Sequence, residues 1–486
     1  MAYSGSEGKM TKNELVAGLN AAPSEERLSA ARGLAALQSA GKIPAPETSG
    51  YVNNHIHTIY SFSPYSPTKA VWASREAGLA VSGIVDHDSV AGVREFREAG
   101  RVFGFPTTAG FELRSDHTAT ALGPRRTNNP DQAGVSYMTF HGLRDSEIDA
   151  VAEFLKPVAK ARGERNRAMC ERLADLSGLS LHYDADVVPL SRGAEGGSVT
   201  ERHLLCALSL AAIREYGGSG SGSSASSPSG SSSPAPSPTD PTSQPGDALF
   251  YFFKNKLSFT DGDIDKLKTS WKTSIYNSAK YNSANGDHRN GYDGSGTPPP
   301  SAGHTIAPAS AGTSSTFAKP ATSCPYGNDF FLYDLIGILK ASLVESFYIP
   351  AGPVECPPLA GLVEFARAHD IIITYPYLGD VTSSVTGDKK AQKFEDDYLD
   401  ELFGILKAEG VGAISYMPAR NTREQAERVR ELAERYGMLQ ISGEDINSPR
   451  QPFISEASKD PYFANLRETT WRLVEHEKGA IDLVRP

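Results

Sequence analysis

Apolar positions recur at helical spacing through residues 11–40. Leu15, Leu19, Leu28, Ala31, Leu34 and Leu37 predict two short helices there. Residues 41–50, GKIPAPETSG, read as a linker, and from Tyr51 short apolar runs alternate with amphipathic segments. A first strand ends in His55-Ile56-His57. The helix after it has Ser66 as N-cap, Pro67 at its first position and Gly78 at its exit. A mostly apolar run, Leu79 to Val85, then stops at Asp86-His87-Asp88. A helix to about Ala99, a strand from Thr107 to Leu113 and a strand from Val135 to His141 follow. Residues 146–176 predict a long charged helix, and Thr200 caps another that runs to about Tyr216.

The pattern then lapses. Residues 217–247 are almost wholly Gly, Ser, Pro and Thr, too poor in apolar area to offset the entropy of ordering, and are expected to be a disordered tether. A segment at 248–277, opening with ALFYFFKNKLS, is apolar enough to dock, and 278–329 is again polar and low in complexity. Order resumes at Phe330 with the apolar helix FLYDLIGILKASLV. A helix at Leu362–His369 then feeds a strand from Ile371 that ends in Thr374-Tyr375-Pro376. A helix at 393–408, a strand to Tyr416, a helix capped by Thr422 and a last strand ending at Ser442 complete the alternation. It predicts a parallel α/β sheet, closed or nearly so. The expected plan is N-terminal helices and linker at 1–50, barrel at 51–141 and 330–486, and between them a helical insertion (142–216), the tether, the docked segment and the polar segment.

Hydrophobic residues make up 39% of 486, low for a globular chain, but the polar insert accounts for much of the deficit. A net charge of -10 is not built for electrostatic capture of nucleic acid. The four cysteines form no CxxC pair, which excludes a thiolate zinc site of that type and suits a reducing compartment. With no apolar run of membrane-spanning length and no signal-peptide block, a cytoplasmic protein without membrane partners is expected.

The chemistry lies at the strand ends. His55 and His57, at i and i+2, point to one side of a strand and can grip one cation. Asp86, His87 and Asp88, then Glu112, His141 and Asp445, end later strands, where β/α-barrel enzymes place their active groups. Imidazole and carboxylate ligands suit Zn, Mn or Fe, and two such ions can activate water against a phosphate ester. Lys389, Lys390, Arg420 and Arg450 are candidates for receiving the phosphate, with arginine suited to bidentate capture. His117, His203 and His369 lack ligand company, and Arg165 and Arg167 read as solvated charges on a helix.

These residues resemble the polymerase and histidinol phosphatase (PHP) superfamily of metal-dependent phosphoesterases. NNHIHT, YSFSPYSP, GIVDHDS, YLGDVTSSVTGDKKAQKFEDDYLDELF and QISGEDINSPRQ are similar to an uncharacterised bacterial-type subgroup of it. The resemblance covers Tyr51–His141 and Ile371 to about Phe453. It implies a distorted (β/α)7 TIM-like barrel, with the insertion as a helical cap and up to three divalent cations. His55, His57, Glu112 and Asp445 would hold the first cation, and Glu112 would bridge to a second held by His141. His87 would be a further ligand. His87, Asp86 and Asp445 would serve catalysis. Three departures bear on the site: Ser63-Pro64-Tyr65 stands where the family has a polar ligand soon after its HxH, Asn447 stands where it has its final His, and Tyr375 replaces the His of its Ala-His-Pro. Asn447, Tyr375 and Asp88 are possible ligands or supporting residues. One or two cations are therefore expected, and three only if these substitutes ligate.

The implied function is hydrolysis of a small phosphomonoester or a nucleotide by metal-activated water. The alternative is a metal-binding scaffold or sensor with weak or no catalysis. Metal-assisted amide or deaminating hydrolysis is a third reading, from fold analogy alone.

Overall fold

The computed structural model describes residues 10–129, 131–217, 246–284, 329–380 and 393–484, with side chains left aside at 274–284 and 329. Residues 218–245 of the expected tether, with His288, His304, Lys389 and Lys390, lie outside the described residues.

The N-terminal helices are α1 (Lys12–Gly18) and α2 (Ser24–Ser39). The barrel then runs β1 (Val52–Ile56), α3 (Pro67–Glu76), β2 (Val81–His87), α4 (Val93–Phe103), β3 (Thr107–Asp116) and β4 (Val135–His141). The insertion holds α5 (Ile148–Ser177), α6 (Glu201–Tyr216), α7 (Asp247–Lys256), α8 (Asp261–Ala284) and α9 (Asp329–Phe347). The chain returns through α10 (Leu359–Ala368), β5 (Ile372–Pro376), α11 (Leu399–Glu409), β6 (Ala413–Tyr416), α12 (Arg423–Arg435), β7 (Leu439–Ser442) and α13 (Ala464–Glu477). No helix among the described residues is long and apolar enough to cross a membrane.

Local signals act as their chemistry dictates. Ser66 Oγ accepts from Lys69 N at 3.0 Å, and Thr422 forms a reciprocal capping box with Gln425. Gly78 turns the chain out of α3 at φ +90°, where a side chain would strain the backbone.

The seven strands pair in chain order into one nearly closed, barrel-like sheet. It is not all parallel, as the alternation predicted. β4 runs antiparallel to both β3 and β5, while the other neighbours are parallel. β3 extends to Asp116 and returns into β4 through residues 117–134 without a crossover helix, a connection open only to antiparallel strands. Gly110 permits the close approach, since a Cβ there would meet Phe140 O at 2.0 Å. The ring closes beside β1, where His57 N donates to Ile446 O (2.9 Å) and Ile446 N to His55 O (3.1 Å).

Helix α13 seals the end opposite the site. Leu473 packs with Ile372, Ala413 and Ile441, and Val474 with Val52 and Val81. The sequence pattern left α13 unassigned. α1 and α2 join the main core through Leu15, Leu19 and Leu34, and the buried pair Arg27–Glu95 (2.9 and 2.5 Å) ties α2 to α4. The insertion builds a second core from Met169, Leu205, Phe253, Trp271 and Leu335, into which the barrel loop contributes Phe62. Helix α8 runs to Ala284, into the stretch expected to be unstructured from 278.

Candidate metal centre

β1 brings His55 and His57 to one side, with their Nε2 atoms 3.1 Å apart. Glu112 Oε2 lies 3.9 Å from each Nε2. Two nitrogens bound to one cation at about 2.0–2.1 Å stand roughly 3–3.4 Å apart, so the pair already has the spacing of a shared ion. His55, His57 and Glu112 form a buried group able to hold a metal. His87 Nδ1 sits 2.9 Å from Glu112 Oε2, because β2 and β3 pair with these two residues in register. Ring closure through Ile446 delivers Asp445, whose Oδ1 is 3.3 Å from His57 Nε2. The Glu112 side chain is 8% exposed and that of Asp445 40%, so Glu112 forms the floor and Asp445 the mouth.

His141 is not on the rim where its strand end was expected. Because β4 is antiparallel, it lies opposite Gly110, below Glu112 on the same inner face. It remains close enough to feel His55 and Glu112. Its buried Nε2 has no hydrogen-bond partner among the described residues, and with the ring proton on Nδ1 it leaves a lone pair that a cation would satisfy.

The electrostatics suit a cation. Burial pushes His55 below its ordinary pKa, and burial together with His55 pushes His141 down to about 3. Burial acts the same way on His57, but the hydrogen bond and charge of Asp445, with Glu112 behind, carry it upward. Burial would raise Glu112, yet His87, His55 and His57 hold it at about 2. Asp445 also stays well below the carboxylate range, since His57 outweighs desolvation. Ionised Glu112 and Asp445 and neutral His55 and His141 are the forms that bind a divalent ion, whereas His57, carried upward by Asp445, gives up its proton when an ion takes that place.

The other predicted residues have different partners. Asp86 accepts from Thr58 N (2.7 Å), Thr58 Oγ1 (2.6 Å) and Ser61 Oγ (2.6 Å), and Ser61 Oγ lies 3.2 Å from His57 Nδ1. It thus orients His57 through Ser61, the support that ligating histidines commonly have. Asp88, in the left-handed region at φ +50°, pairs with buried Arg162 of α5. Asn447 donates to Asp445 Oδ1 (2.7 Å) and accepts from Arg202 (2.6 Å). Tyr375 lies outside the cavity lining; its phenol donates to Glu395 (2.9 Å) and accepts from Asn128 N (3.1 Å). Arg420 lines the cavity, with Nε on Leu378 O (2.8 Å). Arg450 instead pairs with Asp334 on α9.

The cavity over the histidines has a volume of about 340 Å³. Sequence reasoning missed much of its wall: Tyr137 from β4, Arg162 from α5, Glu201 and Arg202 from α6, and Lys340 from α9. The sole hint was Lys340, a lone cation in the apolar helix FLYDLIGILK. Arg165, expected to be solvated, is buried and bonds Glu355 (2.6 and 2.7 Å) and Glu201 (3.0 Å). Arg167 is exposed and pairs with Asp184. His117 and His203 are buried, and His369 pairs with Glu147 at 2.7 Å.

No family model and no curated protein matches the chain. Among solved structures, it is similar to a "putative metal-dependent phosphoesterase" from Bifidobacterium adolescentis at 16% identity and TM-score 0.45, covering 87% of this chain and 98% of that one. It is also similar to an amidohydrolase from Chromobacterium violaceum with bound sulfate and no metal, at 13% identity and TM-score 0.43, covering 86% and 96%. At these values the likeness assigns no chemistry to this chain.

Proposed function

We propose that this protein is a metal-dependent hydrolase of the PHP type that acts on a small phosphomonoester or nucleotide. The observation that carries the reading is the convergence of His55, His57, Glu112 and Asp445 under a cavity also lined by Arg202, Lys340 and Arg420. The four residues would hold one divalent ion, manganese, zinc or iron, with Glu112 and His141 as the start of a second site. Such an ion, when bound, lowers the pKa of water and polarises a phosphoryl oxygen. Arg202, Lys340 and Arg420 would attract and orient the anionic substrate. His87, on the cavity wall against Glu112, is the group for proton transfer, while Asp86 positions His57.

A second reading, a metal-binding scaffold with little turnover, is favoured by Tyr375 and Asn447. Neither offers an imidazole, and Tyr375 faces Glu395 instead of the cavity. Metal analysis of the purified chain, followed by phosphate release from an ester panel with and without manganese, separates the two. Under the first reading release is measurable and falls by about 10³-fold or more in His57→Ala and Asp445→Asn. Full metal occupancy with no turnover of any ester favours the scaffold.

A further inference from the structure

Tyr137 stands on the cavity wall with its ring 5.7 Å from that of His87. Its position is built from both sides. Asn128 mimics a neighbouring strand: its Oδ1 accepts from Tyr137 N (2.8 Å) and its Nδ2 donates to Tyr137 O (2.9 Å). Asn128 is itself fixed by Tyr375, whose phenol accepts from Asn128 N, and by Pro376 O at 2.8 Å. The residue that replaces an expected metal ligand thus braces Tyr137.

The phenol oxygen accepts from Arg114 Nη2 at 3.0 Å. Arg114 is buried and locked by Glu201 (2.9 Å) and Glu355 (2.5 Å). A guanidinium has donors and no acceptor, so the phenol must be the acceptor in this bond. Its own hydrogen is left over. No acceptor for it is found among the described residues, and the ring borders the cavity beside Glu112 and His87.

Resting on the phosphoesterase reading above, we infer that Tyr137 is a catalytic residue whose O–H donates to a phosphoryl oxygen of the substrate, with Arg114 as its positioning residue. The donor is preorganised where negative charge develops, the arrangement in which a hydrogen bond contributes most to rate. Burial raises the phenol above its usual pKa, against the pull of Arg114. It therefore stays protonated through neutral pH and acts as a donor without giving up its proton.

The test uses the full chain loaded with zinc or manganese. Tyr137→Phe removes only the hydroxyl. Its kcat on the best ester of the panel falls about 100-fold, KM rises with the lost ground-state contact, metal content and melting temperature match wild type, and the pH–rate profile keeps its shape. Orthophosphate, titrated calorimetrically, binds the variant more weakly than wild type. In a parallel measurement that leaves the hydroxyl in place, 3-fluorotyrosine at position 137 of the zinc-loaded protein shows a 19F shift on adding orthophosphate. Unchanged kcat and phosphate affinity, or a rate loss matched by metal loss, overturns the role of Tyr137 and leaves the hydrolase reading standing. A wild-type protein that neither releases phosphate nor binds orthophosphate overturns that reading, and the role of Tyr137 with it.

Discussion

Tyr375 shows how one residue can keep a family-like position while changing its task. An imidazole there would be expected to face the metal centre, but the phenol faces the other way, onto the fully buried Glu395. Glu395 in turn accepts from Gly379 N at 3.0 Å, fixing the turn after β5. Burial raises this carboxyl to about 7, against the hydrogen bonds from Tyr375, Gly379 and Leu378 that draw it down. Tyr375→His is therefore expected to lose stability, by about 2–4 kcal/mol, because Glu395 loses its donor and Asn128 N its acceptor. It adds no metal equivalent. Chemical denaturation and metal analysis of the variant check both halves; an extra bound cation would contradict the placement of the side chain.

Between elements, a buried charge network joins barrel and insertion. Arg114 of β3, Arg162 and Arg165 of α5, Glu201 of α6, Glu355 and Asp88 form it, three positive and three negative groups. Desolvation would raise Glu201 and Glu355, but the arginines hold both below their ordinary value of 4.5. Groups lowered in this way stabilise the fold above that value, and the contribution is lost as pH falls through their folded pKa values. Glu355→Gln, which leaves arginines uncompensated, is expected to cost about 3–5 kcal/mol at neutral pH. The gap to wild type should narrow as pH drops below 4.5, as followed by urea unfolding at several pH values. A gap that is constant with pH would mean that Glu355 contributes packing alone.

At the scale of the whole molecule, the barrel is held from both ends. The insertion covers the site, and α13 seals the opposite end with Leu473 and Val474 against the first residues of several strands. Leu473 is fully buried, and Leu473→Ala should destabilise the chain by about 2–5 kcal/mol through lost burial and a cavity. Barrel and site should fail together, read as a coincident loss of tryptophan signal and of bound metal on denaturation. Two separate transitions would show that α13 is an ornament to an independently stable barrel.

Much of the fold was legible from the chain because its signals are local. Ser66, Thr422 and Gly78 mark helix ends by satisfying or turning a backbone within four residues, and alternating apolar runs mark strands wherever they pair. Residue types at the strand ends announced cation chemistry for the same reason: imidazoles two apart on a strand must share a side. What the chain could not announce depends on partners hundreds of residues away. Asn53 bonds Glu444 O across 391 positions, and only that closure sets Asp445 beside His57. The reversal of β4, the burial of Arg165 and the arrival of Lys340 and Tyr137 at the cavity likewise follow from which surfaces exclude water together. That is a property of the packed whole, and no short window of sequence contains it.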